Sequence, residues 1–169
     1  EALVASGIAH SVITVGDPDP RVAGGGIAIL ERAGIAVTLG ALAEEAAELN
    51  AGFFQRVTTG RPLVTLKLAT TLDGKIATLG GESKWITGPE ARADVHRRRA
   101  EADAILVGTG TLLADDPALT ARTPDGTLYP HQPRPVILGT RAVPQDAAVR
   151  RHPLPFMQDE GDDLPDLLE

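Results

Sequence analysis

Short β-branched runs separated by helical patterns constrain the fold of this chain more than any other feature. Residues 11–15 (SVITV) predict a strand that ends in the Pro-rich turn 16–20. Residues 25–33 carry apolar side chains at mostly helical spacing and stop at Gly34, and residues 35–39 give a second strand pattern. This order predicts a βαβ unit, and most such units are right-handed crossovers that carry no chemistry.

The pattern restarts after residues 59–62 (TGRP), which we predict to be a domain boundary. Before it, residues 41–58 predict one or two helices broken near 50–52. After it, residues 63–69 alternate in hydropathy and predict a strand with one polar face. The chain thus predicts two α/β pieces in succession.

The second piece continues with further helix and strand signals. Thr87 and Glu90 have capping-box spacing, with Thr87 as the N-cap of a helix ending near Glu101. Residues 104–107 (AILV) predict a strand buried on both faces. Weaker patterns predict a helical turn at 111–114, a strand at 136–138, loosely patterned chain after Pro144 and a first helical turn at 164–169.

Composition excludes several classes of protein. Hydrophobic residues make up 43% of the 169 positions and charged residues 23%, which excludes wholesale disorder and a membrane-embedded chain. There is no cysteine, so disulfides, thiolate metal sites and a cysteine nucleophile are excluded within this sequence. We expect a cytoplasmic protein.

The net charge of -7 is concentrated at one end of the chain. Six acidic residues lie in the last eleven positions, which leaves 17 acidic and 16 basic residues in residues 1–158. This balance lacks the basic surplus of a nucleic-acid or anionic-membrane binder, so we expect neither partner.

The candidate chemistry begins at Lys67, in the middle of the strand pattern. A lysine there faces either a ligand or, on an edge strand, water. Asp73 and Gly74, which follow, are explained by turn geometry. The loop 81–87 (GESKWIT) places Ser83 and the single Trp85 before a helix N-terminus, as in many small-molecule sites, although a lone tryptophan can equally fill a core.

Two further groups of residues are candidates for an anion or nucleotide site. Spacing on the helix does not decide whether Arg98 or Arg99 faces inward, and at least two of the arginines at 97–99 are expected in solvent. Residues 108–111 (GTGT) follow a strand but lack the third glycine of a dinucleotide fingerprint. Asp115 and Asp116 precede Pro117, where paired acids favour a turn over a general acid.

Metal and hydrolase motifs are missing from the sequence. The four histidines are scattered, with no H-x-E or H-x-x-x-H pattern, so we expect no metal site in this chain. Neither a G-x-S-x-G elbow nor a P-loop occurs.

Taken together, these motifs closely resemble the reductase domain of the RibD family of bifunctional riboflavin-biosynthesis deaminase/reductases. The matching motifs are 67–77 (KLATTLDGKIA), 81–87 (GESKWIT), 104–108 (AILVG) and 115–122 (DDPALTAR), with 17–27 (DPDPRVAGGGI) and 49–54 (LNAGFF) resembling the deaminase tail. The resemblance extends to about Thr140.

The resemblance implies the fold and the domains. Residues 1–61 correspond to the C-terminal tail of a cytidine-deaminase-like domain, and residues 62–169 to part of a dihydrofolate-reductase-like α/β domain. The family's deaminase holds zinc through residues upstream of Glu1, so we expect this half to be a remnant. The reductase uses NADPH to reduce 5-amino-6-(5-phosphoribosylamino)uracil to its ribitylamino product.

The resemblance also implies roles for individual residues. Contacts to NADP would come from Ala69, Trp85, Thr111, Asp115 and Thr140, contacts to substrate from Ser83, Arg99, Leu119 and Arg122, and catalysis from Lys67 and Asp115. This favours Arg99 over Arg98. Gly139 stands where the family commonly has an acid, which weakens the assignment of Thr140.

The later glutamate- and glycine-rich turn of the family's NADP pocket is absent, so we expect an incomplete reductase that lacks full activity by itself. We expect the partner to be a small pyrimidine ribose phosphate and the parent protein to be a homo-oligomer. Two alternatives are a stand-alone reductase of the same superfamily and a non-catalytic oligomerisation or ligand-sensing module.

Overall fold

The computed structural model describes residues 1–161, which divide into two compact units. The first runs from Glu1 to Thr65, and the second begins at Leu66. Each unit contains parallel strands and helices, so the predicted α/β class is confirmed. The helical turn predicted at 164–169 lies outside the described residues. No helix within residues 1–161 is long and apolar enough to cross a membrane.

The first unit contains the predicted βαβ arrangement. Its elements are α1 (Ala2–Ala5), β1 (His10–Ile13), α2 (Gly25–Arg32), β2 (Ala36–Leu39), α3 (Ala43–Leu49) and α4 (Ala51–Thr59). Strands β1 and β2 pair in parallel, with His10 opposite Ala36. The predicted helix break is also present, at Asn50, whose side-chain amide donates to the Ala46 carbonyl at 2.8 Å.

The second unit is built on a parallel sheet. Its elements are α5 (Pro89–Glu101), β3 (Ala104–Gly108), α6 (Thr109–Asp115), β4 (Arg134–Leu138), a 3₁₀ helix (Ala148–Arg151) and β5 (Met157–Asp159). Within the described residues the strand order is β3-β4-β5. Ala104 pairs with Arg134 and Val136 pairs with Met157, so β4 lies between the other two strands.

The core of the second unit gathers around the middle strand. Ile137 of β4 is fully buried and packs with apolar residues from α6 and from the loops on either side of the strand. The buried members are Leu112, Leu119, Ile137, Val143, Ala147 and Val149, with Ile105, Val107 and Phe156 packed against them. This core fixes the ends of β3 and β4, where the candidate site lies.

The strand predicted over residues 63–69 is not formed. The segment contains neither helix nor strand, and Leu66 and Leu68 are largely exposed. A strand requires a hydrogen-bonded neighbour, and no strand among residues 1–161 pairs with this segment. An alternating pattern without a partner therefore leaves the chain irregular.

Three smaller predictions are also wrong. The N-cap of α5 is Gly88, not Thr87, and no side-chain hydrogen bond caps this helix. Strand β3 is not buried on both faces, because Leu106 remains 45% exposed. The chain after Pro144 is better ordered than its pattern indicates, since it contains the 3₁₀ helix and β5.

Candidate active site

The three consecutive arginines of helix α5, residues 97–99, point in different directions. Arg97 and Arg98 are exposed and form ion pairs with Asp94 one turn earlier. Arg99 turns inward, where its Nη1 donates to the carbonyl of Thr120 at 3.2 Å. The structure therefore distinguishes Arg99 from Arg98, which helical spacing alone did not do.

Arg99 is half-buried and has no carboxylate partner in the part of the chain that the structure describes. Burial of the guanidinium lowers the pKa of Arg99, although an arginine remains charged in proteins. Within residues 1–161, no carboxylate forms an ion pair with Arg99 or with Arg122. A buried cation normally has an anionic partner, so this guanidinium is suited to a ligand that brings negative charge.

Arg122 also contacts Thr120, which lies two residues earlier in the chain. Its Nε donates to the hydroxyl of Thr120 at 3.1 Å, and its Nη1 donates to the carbonyl of Gly126 at 2.9 Å. Two guanidiniums thus converge on Thr120 from separate elements. Planar guanidiniums bind phosphate and carboxylate oxygens in pairs, so this arrangement can clamp a phosphate.

A tight turn follows Arg122 and positions its side chain. Thr123 and Thr127 pair backbone to backbone, and Gly126 has φ +88°, which favours glycine. Residues 71–75 form the same turn, with Gly74 at φ +78° and the Thr71 hydroxyl bonded to Asp73. The interpretation of Asp73-Gly74 as a turn is therefore confirmed.

Leu119 directly precedes Thr120, the residue that both arginines contact. Its side chain is 2% exposed and belongs to the hydrophobic core, and its φ is +56°. The predicted substrate contact at Leu119 would therefore involve its backbone, because the side chain points into the core.

The carboxyl ends of β3 and β4 form a second cluster of candidate residues. Because the two strands are parallel and Gly108 pairs with Leu138, residues 109–111 and 139–141 leave the sheet at one edge. Arg141 Nε donates to the Thr109 hydroxyl at 3.3 Å. Ligands of open α/β sheets bind outside the carboxyl ends of the strands, so the edge suits a nucleotide.

Gly139 allows the turn after β4 to pass close to Thr109. Its φ is +121°, and a Cβ at this position would lie 2.7 Å from the Thr109 hydroxyl oxygen. The side-chain amide of Gln158 donates to the carbonyls of Gly139 and Arg141 and so holds the turn that contains Thr140. The glycine that departs from the family pattern is thus required by the local backbone.

Two of the predicted cofactor contacts share one face of α6. Thr111 and Asp115 are four residues apart on this helix and are both exposed. Asp116, one residue later, ends the helix at φ +43° and accepts a hydrogen bond from the Ala148 N–H at 2.7 Å. The carboxylate of Asp115 is therefore open to a ligand, whereas that of Asp116 serves the local turn.

Trp85 does not fill the core. Its side chain is 71% exposed, and the guanidinium of Arg92 lies over its ring at 4.3 Å. Arg92 also donates to the Thr87 carbonyl at 2.7 Å, which ties this loop to α5. Ser83 lies in the same loop and is half-buried. The loop is thus held at its C-terminal end, and Ser83 and Trp85 lie two residues apart within it.

Lys67 and Ala69 are not gathered with the other candidates. They lie in the irregular segment described above, where Lys67 is exposed and Ala69 half-buried. Neither side chain forms a hydrogen bond or ion pair with residues 1–161. Their assignment to the site therefore stays a prediction.

The structure adds residues that the sequence did not single out. His96, Gln132, Arg92 and Arg141 each bond to a candidate residue or its neighbour. A usable signal existed for His96, which lies one turn before Arg99 on α5, and none for Gln132. In residues 1–161, no group of three or more histidine or acidic side chains could hold a metal ion.

Comparison with known proteins places this unit in a recognised family. The family model described as "RibD C-terminal domain" matches residues 62–161. The riboflavin biosynthesis protein RibD of Mycobacterium tuberculosis is 50% identical over 149 residues, which cover 88% of this chain and 44% of that protein. The Escherichia coli RibD is 48% identical over 137 residues, covering 78% and 37%.

Solved structures give the same relationship. RibD of Acinetobacter baumannii matches 99% of this chain and 52% of its own, with a TM-score of 0.82 at 38% identity. A deaminase and 5-amino-6-(5-phosphoribosylamino)uracil reductase from Thermotoga maritima matches with a TM-score of 0.83 at 39% identity, covering 99% and 48%. The chain thus spans about half the length of these relatives.

Proposed function

This chain belongs to the RibD C-terminal domain family, and from that premise we propose that it is part of an enzyme of riboflavin biosynthesis. The proposed reaction is the NADPH-dependent reduction of 5-amino-6-(5-phosphoribosylamino)uracil to its ribitylamino product. The Thermotoga relative bears this reductase activity and a deaminase activity in its name. We extend both to the parent protein, with zinc serving its deaminase half and the cytoplasm as its location.

The observation that carries the proposal is the convergence of Arg99 and Arg122 on Thr120. The substrate bears one 5-phosphate, and these guanidiniums supply several donors without a competing carboxylate among residues 1–161. Charge-assisted pairs of this kind orient a ligand as well as bind it. Leu119 and Ser83 complete the proposed substrate contacts.

The residues at the carboxyl edge of the sheet fit a nicotinamide dinucleotide. The turn at Gly139 approaches Thr109 too closely for any side chain at position 139, which leaves backbone facing the edge. Ala69, Trp85, Thr111, Asp115 and Thr140 are the residues proposed to hold the cofactor. When bound, NADPH supplies a hydride to the ribosyl C1.

Lys67 and Asp115 are proposed to assist that reduction. An ammonium group offers three donors, and Lys67 can give a proton to the ribosyl ring oxygen as that oxygen leaves C1, while the Asp115 carboxylate can hold the cofactor in place. Substitution of either residue by alanine is expected to lower turnover while the fold is retained, because both side chains are exposed.

The test uses the protein at its full natural length. NADPH oxidation is followed after addition of 5-amino-6-(5-phosphoribosylamino)uracil to the wild type, to Arg99→Met and to Arg98→Met. Loss of charge-assisted hydrogen bonds at Arg99 should raise KM by about 10- to 100-fold. Arg98→Met is the matched control, since Arg98 is exposed and bonds to Asp94. Equal KM values for the two variants, or no reduction by the wild type, would reject the proposal.

A further inference from the structure

His96 and Arg99 lie on the same face of α5, one turn apart, and both reach the segment Thr120–Arg122. Nδ1 of His96 accepts a hydrogen bond from the backbone N–H of Arg122 at 3.2 Å, and Arg99 donates to the carbonyl of Thr120. Residues three apart on a helix share a face. One helix thus holds the segment at two points.

Gln132 holds the residue between these two points. Its side-chain amide accepts from the Ala121 N–H at 2.9 Å and donates to the Ala121 carbonyl at 2.8 Å. The segment also pairs with the chain that follows it, through a bridge between Arg122 and Leu128 and a hydrogen bond from the Tyr129 N–H to the Ala121 carbonyl at 3.1 Å. The side chains of His96 and Gln132 add to this pairing and help to fix the backbone from which the Arg122 side chain extends.

The hydrogen bond from Arg122 determines the state of the histidine ring. An accepting Nδ1 places the ring proton on Nε2 and requires a neutral imidazole. Burial lowers the pKa of His96, and the charges of Arg99 and Arg122 lower it further, against a backbone hydrogen bond with Thr120 that raises it. Arg99 from α5 and Arg122 from the segment are the charged groups that act on this ring, so His96 is neutral at and above neutral pH.

We propose that His96 is a positioning residue, which fixes the backbone of Arg122 so that its guanidinium meets the phosphate of the substrate together with Arg99. The proposal rests on the proposed function only in taking that site to bind a phosphate. The histidine itself does not touch the ligand. It acts through its Nδ1, which accepts the hydrogen bond from the Arg122 N–H.

Two substitutions of His96 distinguish the effect of the acceptor atom from the effects of side-chain size and polarity. His96→Asn places an amide oxygen near the position of Nδ1, whereas His96→Gln places its amide nearer to Nε2. Both remove the titrating group and stay polar. His131→Asn is the matched control, because His131 is exposed and its ring bonds to the carbonyl of Ala100 in the last turn of α5, with no hydrogen bond to the segment Thr120–Arg122 among residues 1–161.

Binding of ribose 5-phosphate is measured by calorimetry at pH 8, where the imidazole is neutral and the phosphate fully charged. We expect His96→Asn and His131→Asn to bind like the wild type and His96→Gln to bind about five- to tenfold more weakly. Equal binding by the Asn and Gln variants would overturn the positioning role and leave the anion site standing. No binding by the wild type would overturn the anion site and this proposal together.

A spectroscopic measurement tests the hydrogen bond without any ligand. In the wild type, ¹⁵N spectra should show the Nε2-protonated tautomer, and the Arg122 amide should shift as the pH falls through the lowered pKa of His96. In His131→Asn the amide should shift in the same way, and in His96→Asn it should not. The Nδ1-protonated tautomer, or an Arg122 amide indifferent to pH in the wild type, would overturn the proposal.

Discussion

Residues 66–85 and residues 96–138 both contain motifs of the candidate site, yet the two regions have different structures. In residues 66–85, every hydrogen bond within the region joins residues at most four apart, and Leu72 and Leu79 are fully exposed. In residues 96–138, the Arg99–Thr120 and His96–Arg122 bonds join residues 21 and 26 apart.

The two regions differ in how much support they receive from residues distant in the sequence. A local turn such as 71–75 closes with its own side chains, whereas a strand requires a partner elsewhere in the chain. The anion half of the candidate site, around Arg99, is supported entirely by residues of the second unit. The half around Lys67 has no such support among residues 1–161.

Truncation of one apolar side chain in each region should give the largest difference in the free energy of unfolding. Ile137→Ala removes a fully buried side chain from the middle strand and should lower the free energy of unfolding by about 3 kcal/mol. Leu66→Ala removes a side chain that is 79% exposed and should change it by less than about 0.5 kcal/mol. Urea unfolding followed by the single Trp85 and by circular dichroism measures both.

If Ile137→Ala is too unstable to study, Ile137→Val replaces it. This milder substitution should lower the free energy of unfolding by about 1 kcal/mol. If Leu66→Ala cost as much as Ile137→Ala, residues 66–69 would be buried in solution and the contrast would fail.

Substitution of one glycine within the first region and of one directly after the second gives a smaller and sharper test. Gly139→Ala forces a Cβ to 2.7 Å from the Thr109 hydroxyl at φ +121°, so we expect a loss of about 2–3 kcal/mol in stability. Gly74→Ala has φ +78° and no neighbour within 4 Å, so it should cost about 1 kcal/mol from backbone strain alone. Thermal unfolding of both variants measures the difference.

Truncation of Thr109 to Ala in the Gly139→Ala background should recover part of the loss, because the closest clashing atom is removed. No recovery in this double-mutant comparison would mean that the backbone angle alone sets the cost at position 139.

Local patterns predicted the elements that depend on local interactions. The β1-α2-β2 unit, the helix break at Asn50 and helix α5 follow from apolar spacing and glycine stops along a short stretch. Strand β5 escaped prediction because its residues Met157–Asp159 are short and mixed, and their pairing with β4 supplies the order. Thr87 has the right spacing for a cap, but the chain begins its helix at Gly88 instead.

The site divides in the same way. Helical spacing left open whether Arg98 or Arg99 faces inward, the family resemblance favoured Arg99, and in the structure Arg99 contacts Thr120 whereas Arg98 is exposed. The partners of His96 and Gln132 lie 26 and 11 residues away, so helical spacing could place His96 on the face of Arg99 but could not identify what it holds, and Gln132 had no signal. Residues whose role is to hold a backbone elsewhere leave no periodic signal in their own neighbourhood.

The smallest effect is expected between the two regions, at the contact of Trp85, the last residue of the first region, with Arg92 of α5. Arg92→Met removes the cation over the ring and the hydrogen bond to Thr87, so Trp85 should become more mobile. The ring is largely exposed, which limits the stability cost to about 1 kcal/mol. Fluorescence anisotropy and acrylamide quenching of this single tryptophan report the change directly.

Arg98→Met serves as the control for that experiment, since Arg98 is exposed on the same helix and bonds to Asp94 instead. Arg92→Lys keeps a cation near the ring and should fall between the wild type and Arg92→Met. Unchanged quenching in Arg92→Met would show that the loop is held by other contacts, and residues 81–87 would then belong with the well-supported region instead of the irregular one.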